Sequence, residues 1–126
     1  SRNHKRARLF LDKGIRIQDN LGDRQGGLYS RCSLVEALAE SGLRIEAIAL
    51  ADELNTSPKH LWANKDLAAR VARANVFGLV SQSRTDDALT EANRALAGFM
   101  TQGSLYETQL MRSLVNRLTH EGLSCD

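Results

Sequence analysis

The chain is 126 residues long, 42% hydrophobic and 25% charged, with a formal net charge of +2. Those values suit one soluble globular domain, and a net charge that small implies no polyanionic partner. No apolar run approaches the ~18 residues of a spanning helix, and the basic opening SRNHKRAR has no apolar segment behind it, so no secretory signal is expected.

A single proline, 5% aromatic residues and abundant Ala, Leu and Arg favour helix over sheet. Periodicity and punctuation predict six helices. The first spans about Asn3 to Asn20, with Ala7, Leu11 and Ile15 and the neighbouring Phe10 and Ile17 on one side. Leu21-Gly22 stops it, and Asp23 caps the second helix, Arg24 to Ser41, by accepting from free backbone N–H groups. Gly26 and Gly27 weaken its first turn, and Gly42 closes it in the left-handed conformation. The third helix is short, Arg44 to Asn55. In NTSPKHLW, Ser57 is the N-cap and Pro58 the first position of a long fourth helix reaching Gln82, with Trp62, Leu67, Val71, Ala74 and Leu79 inward. Thr85 caps the fifth, where Asp86 and Asp87 suit the helix dipole, and it ends near Gly103. Ser104 with Glu107 forms a capping box for the sixth, which runs to His120. No stretch alternates as a strand does, so the expected class is all-α.

The phrase SLVEALAESGL, Ser33 to Leu43, returns as SLVNRLTHEGL, Ser113 to Leu123, with six identities in eleven at an offset of 80 residues. A second pattern interleaves with it. Ala47 and Ala51 align with Ala88 and Ala92 at an offset of 41, and with Ala7 and Leu11 at 40. Small side chains at i and i+4 let a neighbouring helix approach closely. The two patterns give a period of 40–41 residues and a helix pair as the unit. Such a pair buries its apolar face by stacking on the next. The units are about 3–22, 23–56, 57–102 and a partial 104–126.

The run ALAESGLRIEAIALADEL resembles the centre of a tetratricopeptide repeat: a helix, a Gly turn, then an Ala-rich second helix opened by Glu-Ala-Ile. The LGDR of Leu21 to Arg24 resembles the joint between units in longer-period bacterial versions. Three features depart from the family: the period exceeds its usual ~34 residues, the signature Trp and Gly of the first helix are absent, and the closing proline occurs once, as Pro58. The resemblance implies a right-handed superhelical solenoid of about six helices, and a non-catalytic binding or sensory role inside a larger signalling or regulatory protein. The opening Ser in place of Met likewise reads as part of a longer protein.

In this family the first helix of each pair lines the concave surface, which implies three rows here. They are Tyr29, Cys32 and Glu36; Arg70, Arg73 and Phe77; and Gln109, Arg112 and Asn116, with His120 one turn on. Arginine forks suit carboxylates and the rings add apolar contact, so the implied ligand is a protein or peptide, acidic or bound by its C-terminus. A neighbouring domain of the same chain is a further occupant, and the unpaired last helix allows a homo-oligomer. The competing assignment has Arg70 and Arg73 pairing with Asp66 or Glu36 at an ordinary surface, and Phe77 in the core.

Signs of catalysis are scarce. His4, His60 and His120 lie far apart with no metal-binding spacing, and G-x-S-x-G, P-loop and GxGxxG motifs are absent. Asp86-Asp87 and Asp52-Glu53 diverge around a helix and suit capping and solvation. No enzyme activity, cofactor or metal is expected. Cys32 and Cys125 lack paired spacing, which reads as reduced thiols in a cytoplasmic protein. Residues 1–31 carry eight Lys/Arg against three Asp/Glu, and residues 32–126 nine against twelve. The alternative to peptide binding is therefore nucleic-acid binding through Arg2, Lys5, Arg6 and Arg8. The near-neutral total disfavours it, and without a spanning segment no membrane partner is expected.

Overall fold

The structure, a computed structural model, describes residues 2–57 and 64–124, with the side chains of 2–4, 7 and 122–124 outside the description. It is all-helical among the described residues: α1 (Arg2–Asn20), α2 (Arg24–Glu40), α3 (Arg44–Asn55), α4 (Lys65–Ser81), α5 (Thr85–Thr101) and α6 (Leu105–Ser124). Each helix packs on the next, and α2 packs on α4 as well.

One turn design recurs in four of the connections between these helices. Gly22, Gly42, Ser83 and Gly103 take positive φ of 74°, 78°, 59° and 72°. The N–H after each reaches back five residues in the same way, Asp23 to Gln18, Leu43 to Leu38, Arg84 to Leu79 and Ser104 to Phe99, at 2.8–3.1 Å. These closures satisfy the last carbonyls of each helix and turn the chain back on itself. They fall 20, 41 and 20 residues apart, the spacing of the sequence repeat. Ser83 alone carries a Cβ in this conformation, at a steric cost glycine escapes. Ser83→Gly is expected to stabilise the fold by roughly 0.5–1 kcal/mol, read as a higher urea midpoint at unchanged slope. An unchanged or lower midpoint shows that the hydroxyl holds the turn.

Asp23 caps α2 as expected, accepting from the Gly26 N–H at 2.9 Å. Four expectations need correction. The fourth helix does not run unbroken from Pro58: α4 starts at Lys65, where Asn64 Oδ1 accepts from the N–H groups of Asp66 and Leu67. The Ser57-Pro58 start and the inward Trp62 fall on 58–63, outside the described residues. Arg84, one position earlier than Thr85, is the N-cap of α5 and supplies no side-chain bond. Glu107 does not close a capping box, because its carboxylate is drawn to Arg73 and Arg70. Phe10 and Ile17 face solvent, since α1 meets its neighbours through Leu11 and Ile15; the Ala7 side chain lies outside the description.

The core follows the chain in three clusters. Leu34 and Leu38 of α2 meet Ala47 of α3, with Leu11 and Ile15 of α1 against them. Leu28, Cys32 and Val35 of α2 meet Ala51 and Leu54 of α3 and Leu67, Val71 and Ala74 of α4. Ala69, Ala72 and Val76 of α4 meet Ala88, Ala92, Ala95 and Phe99 of α5 and Met111, Leu114 and Leu118 of α6. The repeated alanines, Ala47, Ala51, Ala88 and Ala92, are all buried, as their spacing predicts.

Candidate functional site

The expected binding rows divide into three parts. Tyr29, Glu36, Arg70 and Arg73 do converge, on the side where α2, α4 and α6 meet, but they meet each other. The Tyr29 hydroxyl donates to Asp66 at 2.8 Å, Arg70 Nε donates to the same carboxylate at 3.3 Å, and the Arg70 guanidinium stands 5.6 Å from the Tyr29 ring centre. Arg73 Nε donates to Glu36 at 2.5 Å while its other arm donates to Glu107, which Arg70 also approaches at 3.7 Å. The two guanidiniums that were expected to receive an acidic ligand are therefore neutralised by three carboxylates of the chain itself. This is the competing assignment of the sequence reading, with Glu107 added.

Burial sets the electrostatics of this network. Desolvation pushes Glu36 above the usual carboxylate range, partly offset by Arg73. Burial by itself lowers the Arg73 pKa, but Glu36 and Glu107 outweigh it and hold the guanidinium above its ordinary value. Burial and the Asp66 carboxylate raise the Tyr29 hydroxyl. The network ties three helices together, and an acidic ligand has to displace internal carboxylates to use it.

Two further members of the rows belong to the core. Cys32 is 3% exposed in the α2–α3–α4 cluster, so it lines no groove. Burial, with the Glu36 charge beside it, pushes its thiol up to about 12. The thiolate is the reactive form; native protein treated with iodoacetamide at neutral pH is therefore expected to stay unmodified at Cys32, with modification appearing on denaturation. Peptide mass mapping separates it from Cys125. Phe77 is half-buried between the second and third clusters and serves as packing.

Gln109, Arg112, Asn116 and His120 form a row on the solvent side of α6. At 3.6 residues per turn they sit roughly opposite Glu107, which faces α4. They do not share a surface with the Arg70–Arg73 network.

A concavity lies on the other side of α4. A groove of about 510 Å³ runs between α3 and α5, floored by Ala51, Ala68, Ala72 and Leu79, with Asn55, Asn75, Thr90 and Glu91 on its walls. Asn55 and Asn75 exchange amide hydrogen bonds at 3.0 and 3.1 Å between α3 and α4. Arg84 pairs with Asp87 at 2.8 Å and Arg94 with Glu91 at 3.0 Å along its α5 wall. None of the expected site residues lines it. Among the described residues no three His, Cys, Asp or Glu side chains converge as a metal site requires. Compared with known proteins, the chain matches no protein family, no curated protein and no solved structure.

Proposed function

We propose that the chain is a non-catalytic helical-repeat segment that binds a peptide or partner protein, its helix pairs stacked in the tetratricopeptide-like manner within a larger signalling or regulatory protein. The regular left-handed turns and the three successive core clusters support the stacked architecture. The observation that carries the binding reading is the groove over α4. Its alanine floor leaves room for an incoming side-chain ridge, and its amide, hydroxyl and carboxylate walls offer both donors and acceptors. The proposed site therefore moves from the α2–α4–α6 side, where the arginines are already paired, to the α3–α4–α5 side.

Peptides selected from a random display library against the whole chain test this. Ala68→Trp, which fills the floor, is expected to weaken selected peptides by about tenfold or more, as loss of a central pocket contact does. Arg112→Ala, on the solvent side of α6, is expected to leave them unchanged. Arg73 is unsuitable as a probe of binding because its loss strands Glu36 and Glu107. Selected peptides insensitive to Ala68→Trp but weakened by Arg112→Ala return the site to α6, and a library that yields none overturns the reading.

A further inference from the structure

We propose that the outer face of α1 docks on an anionic lipid surface. The inner side of α1 is fixed by several contacts. Leu11 and Ile15 enter the first core cluster, the Gln18 amide and the Ser30 hydroxyl are hydrogen-bonded at 2.6 Å, Arg31 pairs with Asp19 at 2.9 Å, and Arg8 with Glu46 at 2.7 Å. With that side anchored, the helical period turns Phe10, Ile17 and, just past the helix end, Leu21 into one outward row, with Leu9 beside it. These four side chains are 82, 56, 78 and 66% exposed.

The charges around that row have one sign. Arg6 and Lys13 flank it directly, Lys5 and Arg16 lie next to Leu9, and no ion pair among the described residues engages any of the four. Of the acids of α1, Asp19 is held by Arg31, and Asp12, a turn from Leu9 and Arg16, is half-buried. An apolar row edged by long cations is the composition of a helix lying in the headgroup region, where rings and aliphatic side chains enter the acyl boundary and amines meet lipid phosphates. The rest of the chain reinforces the orientation. Residues 1–31 are net +5 and residues 32–126 net −3, so an anionic surface attracts the α1 end and repels the other.

The same charges argue against other occupants. Two copies of this face bring cations against cations, which opposes self-pairing. Nucleic acid uses the cations but leaves Phe10, Ile17 and Leu21 without a role. No helix among the described residues is long and apolar enough to cross a membrane, a condition for spanning a bilayer and not for lying on it.

Sedimentation of the whole chain with vesicles tests the proposal. Vesicles of phosphatidylcholine with about 30% phosphatidylserine are expected to bind at least about tenfold more tightly than phosphatidylcholine alone. Replacing Phe10, Ile17 and Leu21 together by Ser is expected to cut that binding by about tenfold or more, and Lys13→Ala by about fivefold. All four positions are exposed, so circular dichroism is expected to be unchanged. Equal binding to both vesicle types, a triple-serine variant that binds as the parent does, or retention of duplex DNA or of a second copy in place of vesicles overturns the proposal.

Discussion

Phe99→Ala is expected to cost about 3–5 kcal/mol, the range for truncating a fully buried ring, and to unfold the molecule unevenly. Phe99 is 0% exposed and is the largest fully buried side chain of the described residues. It stands in the α4–α5–α6 cluster with Val76, Met111 and Leu118, and its carbonyl accepts the Ser104 N–H that closes the α5–α6 turn. Truncation loses the transfer free energy of the ring and leaves a cavity that rigid helices fill only in part. A total stability of about 5–15 kcal/mol leaves little after such a loss. The place of the damage is as informative as its size. Leu28, Cys32, Val35 and Leu54 belong to a separate cluster, and Leu34, Leu38 and Ala47 to a third. In a stack whose units touch only their neighbours, amide exchange accelerates across α5 and α6 while α2 and α3 keep their protection. Equal acceleration in all helices indicates one cooperative bundle, and argues against the stacked architecture proposed above.

The contrast between local and distant information runs through the whole chain. The third helix, Arg44 to Asn55, is legible to the residue, and so are the Asp23 cap and the Gly42 turn, because each depends on a few adjacent residues. The start of α4 was equally local, in Asn64-Lys65-Asp66, but the earlier Ser57-Pro58 pattern competes with it in a single sequence. Burial on α1 is harder. Leu11 and Ile15 form one apolar row and Phe10 and Ile17 another, and periodicity cannot tell which one a neighbour covers.

Glu107 was missed as a member of the charged network for a reason that can be stated in turns of helix. Sequence alignment of the repeats sets equivalent residues 40–41 apart, and the expected binding rows step by 41 and then 39. The contacts between α2 and α4 instead join residues 37 apart, Tyr29 to Asp66 and Glu36 to Arg73. Arg70 to Glu107, between α4 and α6, has the same separation. The difference is one turn, about 3.6 residues, because side chains lean towards the N-terminus of their helix and meet a neighbour one turn out of step with the repeat. With the period known, subtracting a turn points to Glu107 as the partner of Arg70. Cys32 carried no comparable signal, since its burial depends on the approach of α3 and α4 and not on its neighbours in sequence.

Gly78→Ala sets two principles against each other, and its sign decides between them. Gly78 lies inside α4, where alanine is intrinsically the better helix former by about 1 kcal/mol, so propensity alone predicts stabilisation. The packing predicts the reverse. A Cβ on Gly78 comes within 2.8 Å of the Ala51 Cβ on α3, closer than two methyl carbons approach, and neither is the end of a flexible chain. The helices have to separate, which loosens Ala51, Leu54 and Ala74 in the adjoining cluster. Overpacking of this kind costs about 1–3 kcal/mol, so a net loss of about 1–2 kcal/mol is expected, read as a lower urea midpoint. Gly98 provides the control. Its Cβ meets the Ala69 Cβ at 3.1 Å, a tight contact that a shift of a few tenths of an ångström relieves, so Gly98→Ala is expected within about 0.5 kcal/mol of neutral. The decisive variant combines Gly78→Ala with Ala51→Gly, which exchanges the methyl group across the seam. Restoration of the midpoint beyond the sum of the single changes, a coupling of about 1–2 kcal/mol, assigns the loss to that contact. Additive behaviour, or a Gly78→Ala protein more stable than the parent, shows that α3 and α4 are not held at this distance by their small residues.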